Sequence, residues 1–138
     1  MKKFLVLSFF SFIFIIPKAD AQAWNPIGLD VVGHNTKNGV EAWWQLGTCS
    51  GDDAVFVKLI NNNNYTVNIE WFPAVFTNNL QWIKKETPAD KKSIDVNPNS
   101  TAAGDCTSQT MMVLLKDFPV VLNDFIKFGA VNFSVNPK

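Results

Sequence analysis

Along this chain, hydrophobic and polar residues alternate in short runs, and turn-forming residues punctuate them. The clearest case is Ala54 to Phe76. Val55, Val57 and Leu59 fall on one side of an extended chain, with Phe56, Lys58 and Ile60 on the other. After Asn61–Asn64, a second run places Tyr65, Val67, Ile69 and Trp71 opposite Thr66, Asn68 and Glu70. A period of two, carried by β-branched and aromatic residues, is the pattern of half-buried strands. Asparagine suits the junction because it tolerates positive φ and bonds its own backbone. Pro73 has no N–H for a ladder, so it marks an edge or a bulge in the second strand.

The same reading predicts further strands. Ile27, Leu29 and Val31 alternate with Gly28, Asp30 and Val32. Val40, Ala42, Trp44 and Leu46 form a buried face opposite Glu41, Trp43 and Gln45. Leu80–Lys84, Ser93–Val96, Thr110–Lys116 and Val131–Val135 complete the set. Asn38-Gly39 between apolar runs is a strong hairpin signal. Gly47–Asp53 and Asn97–Asp105 read as loops. Leu122, Phe125 and Ile126 share a helical stripe while Val120-Val121 disfavour helix, so a turn of helix or irregular structure is expected around Leu122–Lys127. About seven to eight short strands without a long helical pattern predict an all-β antiparallel sandwich.

The N-terminus has another origin. Lys2 and Lys3 precede a run from Phe4 to Ile16 that is almost wholly apolar, and Ala19-Asp20-Ala21 offers a small-residue cleavage site before Gln22. This is the layout of a bacterial-type secretory signal peptide over residues 1–21, leaving one domain over 22–138. The run is short of the roughly 20 residues a membrane-spanning helix needs. No second long apolar run follows, so the mature chain is expected to carry no transmembrane segment and to reside in the periplasm or outside the cell.

Export changes the reading of Cys49 and Cys106. In an oxidising compartment an even pair implies a disulfide. Each cysteine lies shortly before an apolar strand, so a bridge would tie the starts of two parallel-running strands, one in each sheet. The following strand carries Trp71. In this arrangement the chain resembles the immunoglobulin and fibronectin-type sandwiches, without their tyrosine corner, since the only tyrosine is Tyr65. The resemblance implies that Ala54–Ile60 and Tyr65–Phe76 belong to different sheets, with Asn61–Asn64 as an arch between them.

Composition removes several function classes. The chain has no arginine, and over 22–138 nine lysines face eleven acids, a formal charge of −2. A nucleic-acid binder needs a basic patch and usually arginine, so nucleic acid is set aside. Catalysis finds few groups. His34 is the only histidine, the glutamates are Glu41, Glu70 and Glu86, and no metal or phosphate-binding motif occurs. No catalytic residue is assigned, and no cofactor is expected. One acidic cluster, Asp52 and Asp53 near Cys49 with Asp105 beside Cys106, is a weak calcium candidate if the disulfide brings it together; the plainer reading is turn capping.

The tryptophans are the candidate binding residues. Trp43 stands between Glu41 and Gln45 on the face opposite the buried one, and Trp24 and Trp82 are candidates to join it. An exposed indole among polar groups grips a sugar ring or a protein partner. Asn64-Tyr65-Thr66, Asn99-Ser100-Thr101 and Asn132-Phe133-Ser134 match a glycosylation pattern and follow from fifteen asparagines. The expected function is a non-catalytic binding or structural module for an extracellular protein or glycan. The alternative is a small secreted hydrolase or hydrolase inhibitor, which would need His34 beside an acid.

Overall fold

A computed structural model describes residues 22–29 and 36–138. The expected signal peptide, the second half of the first expected strand, and His34 lie outside these residues. The described chain forms eleven strands and three short 3-10 turns. In order they are β1 (Asn25–Pro26), β2 (Gly28–Leu29), β3 (Thr36–Lys37), β4 (Val40–Cys49), β5 (Asp52–Asn61), β6 (Val67–Thr77), β7 (Trp82–Lys84), β8 (Lys92–Val96), β9 (Ser100–Ala103), β10 (Met112–Leu114) and β11 (Phe125–Pro137).

Two sheets share one core. The first has the path β1-β4-β5-β10, with β3 on β4 and β9 on β5; the second runs β2-β11-β6-β7, with β8 on β6. All pairings are antiparallel except β2 on β11, which is parallel. The alternation read from the sequence selects the core. Val55, Val57 and Leu59 of β5 are buried against Val67, Ile69, Trp71 and Val75 of β6 and Phe128, Phe133 and Val135 of β11. Trp71 sits 6.4 Å from Phe133, centroid to centroid.

β5 and β6 indeed lie in different sheets, and Asn61–Asn64 opens the connection between them. Asn61 continues the inward row of Val55, Val57 and Leu59, so it places an amide at the end of the core, where it is fully buried. A buried amide needs partners. Asn61 Nδ2 donates to the carbonyls of Tyr65, Val96 and Asn97 at 2.9–3.0 Å, and Oδ1 accepts from Asn63 N and Asn63 Nδ2 at 3.0 Å. Asn63 Nδ2 also donates to Asn38 O, and Asn62 N to Gly39 O. Asn38 and Gly39, with φ of 47° and 74°, make the expected hairpin turn between β3 and β4.

Several expectations need correction. Gly47–Asp53 is not a loop. β4 runs to Cys49, Ser50-Gly51 makes a second tight turn with positive φ, and β5 starts at Asp52. The Cys49–Cys106 disulfide forms, with Cα atoms 5.4 Å apart, but it does not link the sheets. Cys49 ends β4, and Cys106 lies in an excursion between β9 and β10, both of which pair antiparallel with β5. β5 and β10, the strands after the cysteines, are thus antiparallel neighbours in one sheet. Closing the 57-residue separation contributes about 4 kcal/mol on the chain-entropy model.

Asn97–Asp105 contains β9, because its Ser-Thr-Ala-Ala run completes the edge beside Leu59. Helix forms only as the 3-10 turn Leu122–Asp124, and β11 already starts at Phe125. Its ring meets Trp44 edge-on at 5.3 Å, which draws this stretch into the sandwich. Pro73 lies within the central strand β6, not at an edge. Its neighbour breaks instead: Lys84 pairs with Ala74, Lys92 with Trp71, and 85–91 loop out.

Removing the Asn61 amide leaves the buried Val96 carbonyl without its donor and frees the part-buried carbonyls of Tyr65 and Asn97 to turn to water. Asn61→Ala is expected to lower stability by about 1–3 kcal/mol, the cost of a buried group left unsatisfied. Urea denaturation of the two proteins checks this, and an unchanged midpoint would contradict it.

Candidate functional site

Three surfaces carry the candidate groups. On the outer face of the first sheet, Trp43 of β4 pairs across the ladder with Lys58 of β5. The ammonium of Lys58 lies 4.5 Å from the centroid of Trp24 and 5.7 Å from that of Trp43. Trp43 Nε1 donates to Glu41 Oε2 at 3.2 Å, and Asn62 Nδ2 donates to Glu41 Oε1 at 2.9 Å. Trp24 therefore joins Trp43, as the sequence suggested. Both indoles are only half-buried, but they close on a lysine of their own chain, which turns much of their aromatic surface inward.

Trp82 does not join them. It lies on the outer face of the second sheet, where β7 pairs with β6 and Trp82 faces Phe76. Their rings are 5.1 Å apart and tilted by 53°. The indole rests on Gly129 of β11: a Cβ there would stand 2.6 Å from both Cη2 and Cζ3. Only glycine leaves room for the ring to lie against the sheet. The residue is nevertheless 39% exposed. Lys127 Nζ stands 4.9 Å from the Phe76 centroid and 5.5 Å from that of Trp82. Lys84, two residues along β7, emerges on the same face by strand alternation.

The third surface is an end of the sandwich. Asn78 donates through its backbone N–H and Nδ2 to the carbonyl and carboxylate of Asp124, both at 2.8 Å. These bonds fasten the β6–β7 turn to the loop that precedes β11. Leu80 stands at the tip of that turn with φ of 59°, a conformation uncommon for leucine, and is 76% exposed. Across the junction Val121 is 63%, Leu122 41% and Ile126 48% exposed. Ile126 is the unpaired residue where the register of β11 slips between Phe125 and Lys127. Sequence periodicity placed Leu80 in a strand and Leu122 and Ile126 on a helical stripe. The signal available was an apolar residue directly following Thr77-Asn78-Asn79.

The acids near the disulfide are separately engaged. Asp52 forms an ion pair with Lys116. Asp105 Oδ1 accepts from Thr107 N at 2.8 Å, Thr107 Oγ1 at 2.7 Å and Ser108 Oγ at 3.2 Å. These bonds, the Thr107 hydroxyl first, hold its carboxyl below the ordinary aspartate value. Among the described residues no group of three or more His, Cys, Asp or Glu side chains is arranged to hold a metal ion. A shallow cleft between the broken edges of the two sheets is lined by Lys85, Asp90, Lys92, Asp117 and Phe118. Burial depresses the Lys92 ammonium, which donates to Gln109 O at 2.9 Å.

Compared with protein-family models, with curated proteins and with solved structures, the chain matches none.

Asp105 should titrate below 3.8, its ordinary value, and Thr107→Ala should raise its midpoint towards that value. A carboxyl depressed in the folded state stabilises the fold above the unfolded pKa, and that contribution is lost as pH falls through the folded value. Carboxyl carbon NMR across the acid range reads both; a midpoint that Thr107→Ala leaves unmoved would remove the turn as the cause.

Proposed function

We propose that the chain is an exported, non-catalytic binding module, broadly immunoglobulin-like in layout, that docks onto a protein partner through its apolar end. The observation that carries this reading is that Leu80, on the β6–β7 turn, and Val121, Leu122 and Ile126, around the start of β11, are all exposed on segments that Asn78 and Asp124 fasten together. A contiguous exposed apolar patch on a small domain marks an interaction surface, whereas scattered single residues carry no such meaning. Leucine in a positive-φ turn supports the same view, since an asparagine or glycine there would fit the backbone better. Aliphatic side chains favour a protein partner over a sugar, which needs flat aromatic and polar groups.

Export is supported by the Lys2-Lys3 start, the Phe4–Ile16 run and the Ala19-Asp20-Ala21 site. The intramolecular disulfide fits an oxidising compartment. No described helix is long and apolar enough to cross a membrane. The non-catalytic part of the reading rests on how the acids near the disulfide are used: Asp52 pairs with Lys116, and Asp105 accepts from Thr107 and Ser108 in its own turn.

Two measurements test the proposal. The mature protein recovered from producing cells should begin at Gln22 by mass spectrometry; retention of residues 1–21 would contradict export. A photo-crosslinker at position 121 should capture a discrete protein that one at position 136, on an exposed residue near the opposite end, does not. Leu80→Asp with Val121→Asp should weaken that capture by about tenfold or more, the scale of losing a central anchor. Equal capture from positions 121 and 136, or capture unaffected by the double substitution, would overturn the docking end.

A further inference from the structure

Trp82 lies on the outer face of the second sheet, with Phe76 and Lys127 beside it. We infer that the outer face of the second sheet stacks a carboxylate-bearing sugar ring on Trp82, with Lys127 and Lys84 meeting its negative charge. The inference stands apart from the apolar end, since it uses a different surface and a different chemistry.

The geometry of the indole is the first argument. A tryptophan that only fills space is covered on both sides. Trp82 has the Cη2–Cζ3 rim of its indole against Gly129, whose missing Cβ leaves it room, and is still 39% exposed. Phe76 steadies its edge. A rigid ring held against a sheet and partly exposed is a stacking platform, and it loses little conformational entropy when a flat partner arrives. Like the Trp24–Trp43 pair with Lys58, Phe76 and Trp82 have a lysine over their rings, Lys127, but here Lys84 adds a second ammonium on the same face.

Charge is the second. Lys127 and Lys84 share the face with Trp82, and neither forms an ion pair with a carboxylate among the described residues. The cations that do form such pairs, Lys85, Lys91, Lys116 and Lys138, point to Asp90, Glu70, Asp52 and Asp95. An aromatic platform beside two uncompensated ammonium groups matches a ligand with an apolar ring face and an anionic substituent. A uronic acid residue within a polysaccharide has both. Lysine meets such a carboxylate as a compact point charge, without the bidentate fork of arginine. Single-stranded nucleic acid offers related chemistry, but it relies on a longer basic track than this face provides.

Gly129 makes the inference testable in a way that a simple tryptophan deletion does not. A methyl group at position 129 displaces the indole from its seat, while the next nearest atom, the Gly28 carbonyl oxygen, is 3.6 Å away in ordinary contact. Gly129→Ala therefore keeps the tryptophan and the fold and removes only the platform. The probes are oligogalacturonate and its methyl ester, which share a backbone and differ in charge, with a thymidine oligonucleotide of equal charge alongside. Calorimetric titration should show the free acid bound at least about fivefold more tightly than the ester at low salt, the preference shrinking as salt rises. Trp82→Ala and Gly129→Ala should each weaken binding by about tenfold or more. Lys84→Met with Lys127→Met should equalise acid and ester. Unchanged melting temperatures certify that the variants fold. Acid and ester bound equally by the unaltered protein, an acid preference that survives loss of both lysines, or full affinity in Gly129→Ala would each overturn the inference. Absence of saccharide binding would overturn it too, as would tighter binding of the oligonucleotide. Each of these results leaves the crosslinking test of the apolar end untouched.

Discussion

The side-chain amide of Asn61 is the interaction on which the arrangement of the sandwich turns. It sits where the inward row of β5 runs out of apolar residues and the chain must leave one sheet for the other. A buried amide is tolerable only when its groups are satisfied, and here they are satisfied by distant parts of the chain. Three carbonyls converge on Nδ2, from the arch itself and from the turn between β8 and β9. Asn63, held by Oδ1, reaches onward to the β3–β4 hairpin. One side chain therefore fixes how two turns and an arch lie together at that end. A hydrophobic residue would fill the same space without dictating this geometry, and the carbonyls would lack donors.

The opposite end is organised differently and is where function is proposed. It carries the disulfide, the Ser50-Gly51 turn and the loops fastened by Asn78 and Asp124. Between the two ends, the sheet edges are poor places to bind another chain. Along one flank, both edge strands are interrupted: 104–111 leave the first sheet between β9 and β10, and 85–91 leave the second between β7 and β8. Lys92 bridges these excursions by donating to Gln109 O. On the other flank, the N-terminal stretch contributes β1 to one sheet and β2 to the other, two residues each, with Ile27 buried between them. Short and broken edges discourage strand addition, which leaves ends and outer faces as the surfaces free to meet partners.

Much of this was readable from residue order. Alternation located β4, β5, β6 and the last strand, because a half-buried strand must present apolar groups every second residue. The Asn38-Gly39 hairpin was legible because few residue pairs tolerate two consecutive positive φ angles. The cysteines predicted their bond but not its place. Assigning them to separate sheets assumed the layout of a familiar sandwich, and local spacing carries no information about which strands become neighbours. Among the candidate binding residues, Trp24 and Trp43 come together over Lys58 through the β1–β4 and β4–β5 pairing. Trp82 was misplaced because the sheet to which β7 belongs depends on a contact with β6 rather than on its own residues. Leu80, Val121, Leu122 and Ile126 escaped notice because apolar residues are expected inside.

What the sequence alone determined is therefore local: an all-β chain, its turns, the inward and outward faces of its long strands, and a cysteine pair. These follow from side-chain period, φ preference and parity, which depend on near neighbours. Tertiary structure decided the rest. It set the sheet each strand joined, placed the disulfide within one sheet, broke the edges beside Pro73 and Val57, laid Trp82 on Gly129, and fastened Asn78 to Asp124. Each of these is a contact between residues far apart in the chain, fixed only when the whole core closes.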